Sequence, residues 1–261
     1  MDVLRKQISH APATGRFNGR HAMALSCWLA FGVALPGDGG DDGLLAALVD
    51  VAVAATVQSA PPSLQTGSRW EPSFAAFAAQ DLATPPQPGG TVFTGSSSIV
   101  LWSGLERQFP RAQALARGFG GSHLADCARH VDRLVLPYRP RQVVLYAGEN
   151  DLAAGATPHQ VSDSYRRFVE QVHAALPSTR VVFISIKPSP SRAGLLPQMR
   201  QANALIAEHA ATDPRQVFVD VFSKMIDGQG QPRADLFEPD ALHLNATGYE
   251  LWARALGPHL I

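Results

Sequence analysis

The sequence has few cysteines, no excess of charge of either sign and no long hydrophobic run. The two cysteines, Cys27 and Cys127, form neither a disulfide scaffold nor a zinc-ligand spacing, and we predict that Cys127 is a buried free thiol. The 22 basic and 22 acidic residues balance to zero, which argues against a nucleic-acid-binding surface, since such a surface requires a basic excess. No apolar run reaches the roughly 20 residues of a membrane span. At 46% hydrophobic residues, the 261-residue chain can still bury a sizeable core.

The first 69 residues differ in composition from the rest of the chain. They are rich in Ala, Gly, Pro and Ser, and they contain two apolar runs, at 22–35 and 44–57. The second run includes Ala52-Val53-Ala54, which has the small-x-small form of a signal-peptidase site. We therefore expect a leader with an export signal and a linker over residues 1–69, ahead of a folded domain over residues 70–261. Because the basic residues lie unusually far upstream of that site, the alternative is a disordered leader on a cytoplasmic protein.

From Trp70 onward, short β-prone or continuous apolar runs alternate with segments of helical periodicity. The runs predict strands at 91–94, 112–117, 142–147, 180–186 and 216–221. The periodic segments predict helices at 70–81, 96–105, 122–134, 158–176, 195–210 and 246–256. This alternation predicts an α/β fold with a parallel sheet covered by helices on both sides. In such sheets, functional sites lie beyond the carboxyl ends of the strands.

Four short segments supply the groups needed for acyl transfer through a serine ester. In chain order they are Gly95–Ser98, Gly118–Gly121, Gly148–Asp151 and Asp240–His243. The first three follow predicted strands, so we expect them at one edge of the sheet, and the fourth lies on a loop that can fold over the same edge. Each segment alone has a plainer explanation, but all four in this order are hard to attribute to chance.

Two of these segments offer a nucleophile and its base. Ser97 lies at a predicted strand-to-helix turn, which exposes the hydroxyl and directs backbone N–H groups toward developing negative charge. His243 stands three residues after Asp240, so the carboxylate can accept from Nδ1 and leave Nε2 to take the serine proton. The plainer explanations are that the serines cap a helix and that Asp240 and His243 form a capping pair. Chemistry alone does not decide which of the serines at 96–98 acts.

The other two segments offer donors for an oxyanion. Gly121 has no Cβ, so its N–H can be approached closely, and Asn150 carries an amide donor that does not titrate. The alternatives are a positive-φ turn at Gly121 and an Asx-turn at Asn150.

The glycines at 118–121 lack the spacing of a dinucleotide-binding loop, which excludes that interpretation. No His/Cys cluster in the sequence has the spacing of a metal site.

With these residues in place, the sequence from about Trp70 to the C terminus resembles the SGNH hydrolases, also called the GDSL-type esterase/lipase family. The family's Gly-Asp-Ser-Leu block corresponds to Gly95–Ser98, and this alignment puts Ser97 in the nucleophile's place. The Gly-x-Asn-Asp block corresponds to Gly148–Asp151, and the Asp-x-x-His block to Asp240–His243. The resemblance implies a flavodoxin-like three-layer α/β/α fold and no cofactor.

The resemblance also implies a role for each candidate residue. Ser97, Asp240 and His243 would form a catalytic triad, and the backbone N–H groups of Ser97 and Gly121 with the Asn150 amide would form an oxyanion hole. We therefore expect a hydrolase of carboxylic esters that works through an acyl-enzyme. No long apolar lid segment is evident, which favours short acyl chains. The expected substrate is a small-molecule ester or an acylated glycan.

The sequence departs from the family pattern beside the nucleophile. Ser96 replaces the usual aspartate and Ser98 the usual leucine. Gly-Ser-Ser-Ser followed by Trp102, together with the stretch at 186–190, resembles a bacterial subgroup, and we expect activity to be retained. Lys187, in that stretch, follows a predicted strand and could reach the site; the alternative is a solvated loop lysine.

Two other functions use the same residues or the same fold. A glycan O-acetyl esterase or an acyltransferase would employ the same triad. A non-catalytic carbohydrate- or lipid-binding protein could retain the fold, but it would have no need for an aligned serine, histidine and aspartate.

Overall fold

The computed structural model of the chain describes residues 69–261, and within them five strands form one parallel sheet. The strands are β1 (Thr91–Gly95), β2 (Ala114–Gly118), β3 (Gln142–Tyr146), β4 (Arg180–Ile184) and β5 (Gln216–Val219). Their order in the sheet is β2-β1-β3-β4-β5, and every pairing is parallel. The winding direction therefore reverses between β1 and β3, which is where open α/β sheets form their binding crevices.

Helices cover both faces of this sheet. They are α1 (Glu71–Ala83), α2 (Ser97–Val100), α3 (Leu105–Gln108), α4 (Leu124–Arg129), α5 (Val131–Leu134), α6 (Glu149–Ala153), α7 (Pro158–Ala175), α8 (Leu196–Ala210) and α9 (Ala246–Leu256). One buried apolar cluster joins the sheet to α1, α4, α5, α7 and α8, and a second joins its other face to α2, α3 and α9. The predicted three-layer α/β/α fold is thus confirmed.

Strand β3 shows why the central strands are continuous apolar runs. Val143 and Leu145 enter the first cluster, whereas Val144 and Tyr146 enter the second. All four side chains are fully buried, because a strand with helices on both faces has no solvent-facing side.

Helix α7 follows its predicted apolar face closely. Its buried side chains include Val161, Tyr165, Phe168 and Val172, at the i, i+4, i+7 and i+11 spacing of one helix face. Thr157 starts the helix by accepting a hydrogen bond from the Gln160 N–H, and the Gln160 side chain accepts from the Thr157 N–H in return. Local sequence therefore determines both the start and the orientation of this helix.

Two predicted helices differ from those observed. The helix expected over 96–105 ends at Val100 as α2, and α3 starts at Leu105, directly after Gly104 in a left-handed conformation (φ +73°). The helix expected over 122–134 is divided at His130 and begins at Leu124. His123 occupies its N-cap position, where the Asp126 carboxylate accepts from the His123 backbone N–H at 2.9 Å.

The remaining predictions concern the cysteines, the leader, membrane spans and metal ligands. Cys127 is a buried free thiol, as predicted, and burial raises the pKa of that thiol. Cys27 and the leader prediction lie outside the described residues. Within residues 69–261, no helix is long and apolar enough to cross a membrane. The same part of the chain contains no group of three or more His, Cys, Asp or Glu side chains placed to hold a metal ion.

Gly95, at the end of β1, is a position where only glycine fits. Its φ is +129°, and a Cβ there would lie 1.9 Å from the carbonyl oxygen of Tyr146 on β3. Because that oxygen belongs to a paired strand, we expect Gly95→Ala to lower the free energy of unfolding by about 3 kcal/mol or more. Urea unfolding measures this, with Gly228→Ala as a control, since Gly228 is exposed and a Cβ there meets nothing within 4 Å. An unchanged midpoint for Gly95→Ala would contradict the steric argument.

Candidate active site

Three of the four segments meet at the carboxyl edge of the sheet because their strands end level with one another. Gly95 at the end of β1 pairs with Gly118 on β2 and with Tyr146 on β3. The chain leaving each strand therefore starts from the same edge. The fourth segment, Asp240–His243, lies on the loop before α9 and folds over this edge.

A continuous chain of hydrogen-bonding groups joins Ser97, His243 and Asp240. The Oγ of Ser97 lies 3.1 Å from the Nε2 of His243. The Nδ1 of the same imidazole lies 2.6 Å from the Oδ2 of Asp240. Ser97 and His243 are 146 residues apart in sequence, so the fold brings them together.

The Asp240 carboxylate organises the loop that carries His243. Its Oδ1 accepts from the backbone N–H groups of Leu242 and His243, both at 2.9 Å. These two bonds, with the imidazole contact, lower the pKa of Asp240 to about 2. Ala241, between Asp240 and Leu242, adopts a left-handed conformation (φ +56°), which closes the turn. The pair does not cap α9, since Asn245 does so by accepting from the Gly248 N–H.

The surroundings of the three consecutive serines distinguish them. Ser96 and Ser98 are buried, with 4% and 2% of their surface exposed, whereas Ser97 is partly exposed. Ser96 occupies the N-cap position of α2, but its side chain makes no capping hydrogen bond. Ser97 is the first residue of the helix, where N–H groups still lack intrahelical partners. Only Ser97 of the three therefore presents its hydroxyl to the edge of the sheet.

The Gly120–Gly121 turn is anchored by the two residues that precede α1. The indole N–H of Trp70 donates to the Gly120 carbonyl at 2.9 Å, and Arg69 donates to the Gly121 carbonyl at 2.7 Å. Gly121 has a φ of +70°, so the alternative of a positive-φ turn also describes this residue. In a trans peptide the N–H points opposite to the carbonyl. Anchoring the Gly120 carbonyl to Trp70 therefore directs the Gly121 N–H away from Trp70.

Asn150 lies in the first turn of α6, and both ends of its amide are held. The Nδ2 donates to the Ser122 carbonyl at 3.2 Å, and the Oδ1 accepts from Arg192 at 3.0 Å. Next to it, both carboxylate oxygens of Asp151 accept from the Leu124 N–H, at 3.0 and 3.1 Å. These bonds tie α6 to the start of α4, and burial raises the pKa of the Asp151 carboxyl.

Lys187 is not a solvated loop lysine, so that alternative is wrong. Its side chain is 1% exposed and pairs with the buried carboxylate of Glu149. The Glu149 carboxylate also accepts from Ser189 and, at 3.0 Å, from the Tyr146 hydroxyl. Burial lowers the pKa of Lys187, and the Glu149 carboxylate opposes that shift.

Sequence reasoning missed Glu149 and Arg192 as residues of this site. Glu149 stands at the variable position of the Gly-x-Asn-Asp block, and Arg192 lies outside all four segments. Neither has a local pattern that would have indicated its contacts with the Asn150 segment. The sequence offered one indication of Glu149, its position next to the candidate Asn150. Its partner Lys187 was already a candidate, but no pattern in the sequence relates the two.

Comparisons with known proteins identify a family for this arrangement. The profile of the GDSL-like lipase/acylhydrolase family matches residues 89–251, which include all four segments. No curated protein matches the chain at a significant level.

Solved structures with the same fold include three whose names state an enzyme class. A GDSL-like lipase from Bacteroides thetaiotaomicron is 19% identical, with a TM-score of 0.61 over 72% of this chain and 96% of that one. A family 3 carbohydrate esterase from Talaromyces cellulolyticus is 19% identical, with a TM-score of 0.54 over 66% and 96%. A lipase/acylhydrolase from Enterococcus faecalis is 19% identical, with a TM-score of 0.53 over 66% and 97%. At these identities the likeness shows the fold.

The match to the family profile covers more than half of the chain and contains the residues that meet at the sheet edge. The chain therefore belongs to the GDSL-like lipase/acylhydrolase family and is a carboxylic ester hydrolase.

Proposed function

We propose that this hydrolase cleaves short-chain carboxylic esters through a Ser97-His243-Asp240 triad and an acyl-enzyme. The observation that carries the proposal is the run of contacts from Asp240 Oδ2 to His243 Nδ1 and from His243 Nε2 to Ser97 Oγ. Both distances lie within the hydrogen-bond range expected between a nucleophile and its base and between that base and the group that orients it.

In the acylation step, Ser97 Oγ attacks the acyl carbon of the ester while His243 Nε2 takes the hydroxyl proton. The carbonyl π electrons move onto the oxygen and form a tetrahedral oxyanion. When the oxyanion collapses, the bond to the alkoxy oxygen breaks, and His243 delivers the proton to the departing alcohol. Asp240 accepts from Nδ1–H and thereby holds the imidazole with Nε2 toward Ser97.

In the deacylation step, water attacks the acyl carbon of the Ser97 ester. His243 takes a proton from that water and then returns it to Ser97 Oγ, so the carboxylic acid leaves and the enzyme is regenerated. The same base thus serves both half-reactions, and no cofactor enters the balance.

Three donors are available for the oxyanion. They are the N–H of Ser97 at the start of α2, the N–H of Gly121 and the amide of Asn150. The turn at Gly121 and the bonds to both ends of the Asn150 amide support this assignment, because donors held in place before the reaction need no reorganisation as charge develops.

Short acyl chains follow from the lack of a long apolar lid segment in the sequence. A glycan O-acetyl esterase is the second candidate, since the fold neighbour from Talaromyces cellulolyticus is a carbohydrate esterase. An acyltransferase would use the same acyl-enzyme with an alcohol or sugar in place of water.

Hydrolysis of p-nitrophenyl acetate, butyrate and octanoate tests the substrate class. We expect turnover to fall from acetate to octanoate, and mass spectrometry should find a serine-directed phosphonate on Ser97. Rates that rise toward octanoate would contradict the short-chain proposal. Acetate release from an acetylated glycan with little p-nitrophenyl turnover would favour the second candidate, and ester products formed with added alcohols would indicate transfer.

We further propose that residues 1–69 comprise an export signal, cleaved after Ala52-Val53-Ala54, and a linker that follows it. N-terminal sequencing of the protein from its native host should find a mature chain that starts near Ala55. A chain that retains Met1 in the cytosolic fraction would overturn this proposal.

The low pKa of Asp240 predicts a pH dependence of stability. Its folded pKa of about 2 lies below the ordinary value of 3.8. A depressed carboxyl pKa stabilises the fold above the unfolded value, and that contribution is lost as pH falls through the folded pKa. We expect the stability difference between wild type and Asp240→Asn to be constant above about pH 5 and to shrink between about pH 4 and pH 2. Urea unfolding across this range measures it, and a difference that stays constant to pH 2 would contradict the assignment.

A further inference from the structure

A group of charged and polar side chains, most of them buried, lies directly behind the Asn150 amide. We call Glu149, Lys187, Ser189 and Arg192 the amide-support cluster. Glu149 pairs with Lys187 and accepts from Ser189, and one guanidinium nitrogen of Arg192 lies 3.6 Å from the same carboxylate. The other guanidinium nitrogen donates to Asn150 Oδ1 at 3.0 Å. The cluster therefore reaches the site through one residue, Arg192.

The net charge of this cluster does not depend on where the proton of its central pair resides. Glu149 and Lys187 are an ion pair if the proton is on the amine and two neutral groups if it is on the carboxyl, and their net charge is zero in both cases. Ser189 is uncharged. The Arg192 guanidinium adds one positive charge in both cases. One positive charge is therefore left at the guanidinium that contacts Asn150.

Arg192 determines which way the Asn150 amide points. A guanidinium has donors but no acceptor, so only the amide oxygen can face it. The NH₂ group must then face the opposite side, where it meets the Ser122 carbonyl at the end of the Gly118–Gly121 turn. A charged donor on the amide oxygen also withdraws electron density from the NH₂ group, which makes that group a stronger donor.

The backbone holds Arg192 in this position. Pro188 and Pro190 restrict the chain on either side of the buried Ser189. The Ser191 N–H donates to the Ala241 carbonyl at 2.9 Å, which links this segment to the loop that carries His243. The Arg192 side chain is 20% exposed and lies between these anchors. Its placement is thus coupled both to the Asn150 amide and to the His243 loop.

We propose that Arg192 is a positioning residue for transition-state binding, one that orients and polarises the Asn150 amide toward the oxyanion. The inference rests on the proposed function, since it requires Asn150 to be an oxyanion donor. Arg192 lies outside the four segments, and the buried Glu149–Lys187 pair supports it. That pair neutralises itself and leaves the guanidinium charge for Asn150.

A double-mutant cycle of Arg192→Met and Asn150→Ala tests this proposal, with kcat and KM for p-nitrophenyl acetate as the readouts. We expect Asn150→Ala to lower kcat by about 10²–10³-fold, the usual cost of one oxyanion donor. We expect Arg192→Met to lower kcat at least tenfold with little change in KM, because it acts on the transition state. In the Asn150→Ala background, Arg192→Met should change kcat less than about threefold, since residues that act through one contact are not additive.

The control and the contrary outcomes separate this inference from the proposed function. Arg254→Met should leave kcat unchanged, because Arg254 is 69% exposed on α9 and contacts Glu250. If Asn150→Ala leaves kcat unchanged, the oxyanion role of Asn150 is wrong. If Asn150→Ala lowers kcat but Arg192→Met lowers kcat by the same factor in the wild type and in Asn150→Ala, Arg192 does not act through Asn150 and the inference is overturned. Should Arg192→Met fail to fold by circular dichroism, Arg192→Gln takes its place in the cycle.

Discussion

Ser97→Ala is expected to lower kcat for p-nitrophenyl acetate by about 10⁴-fold or more, as for other triad nucleophiles. The substitution removes the atom that would form the proposed acyl-enzyme, so the proposed oxyanion donors could assist only direct attack by water. Ser97 is partly exposed and its hydroxyl contacts the His243 imidazole on a loop, so we expect the fold to be unaffected. Circular dichroism and the urea midpoint should match those of the wild type.

The neighbouring Ser98 provides a matched control for this substitution. Ser98→Ala removes a hydroxyl from the same helix, one residue further on. Ser98 is buried, and its backbone carbonyl, which accepts a hydrogen bond from the Tyr249 hydroxyl, is retained in the variant. We expect kcat to stay within a few fold of the wild type. If Ser98→Ala abolished turnover while Ser97→Ala did not, the choice of nucleophile would be wrong.

His243→Ala should cause a loss of the same order, about 10⁴-fold in kcat, because nucleophile and base act as one unit. In the proposed mechanism the imidazole accepts the Ser97 proton at Nε2, and no other described histidine contacts Ser97. In the Ser97→Ala background the second substitution should add little, since removal of one member already disables the unit. The measurement is single-turnover and steady-state hydrolysis of p-nitrophenyl acetate by both single variants and the double variant.

The control for this prediction is His159→Ala, at an exposed position in the first turn of α7. It should leave turnover unchanged, which excludes a general effect of removing an imidazole. Phosphonate labelling gives a second readout, because the His243 variant should react at Ser97 far more slowly than the wild type. Wild-type turnover and labelling in His243→Ala would refute the proposed base.

The layer architecture was predictable because its determinants are local. Continuous apolar runs such as 142–147 require helices on both faces, and the spacing of the α7 face allows one orientation toward the sheet. Helix boundaries were less predictable where a contact from elsewhere decides them. The start of α4 is the example, since the Asp151 carboxylate on α6 accepts a hydrogen bond from the Leu124 N–H.

The candidate site was predictable only in part. Contacts between residues close in sequence could be predicted, and contacts between residues far apart in sequence could not. Asp240 and His243 are three residues apart, so their pairing could be inferred from spacing. Arg192 meets Asn150 across 42 residues, and Lys187 meets Glu149 across 38, with no periodic pattern that relates them. The interpretation of Lys187 as a solvated residue failed for this reason.

The sequence by itself determined the α/β class, the sheet edge at which three segments meet, and the residue types available for acyl transfer. These properties depend on side-chain periodicity and on the geometry of parallel strands, which operate over a few residues. Only the tertiary structure decided that Ser96 and Ser98 are buried while Ser97 is not, that Lys187 is enclosed, and that a guanidinium stands behind the Asn150 amide. Burial and long-range pairing depend on how helices and loops from distant parts of the chain pack together, and that packing has no signature in a local stretch of sequence.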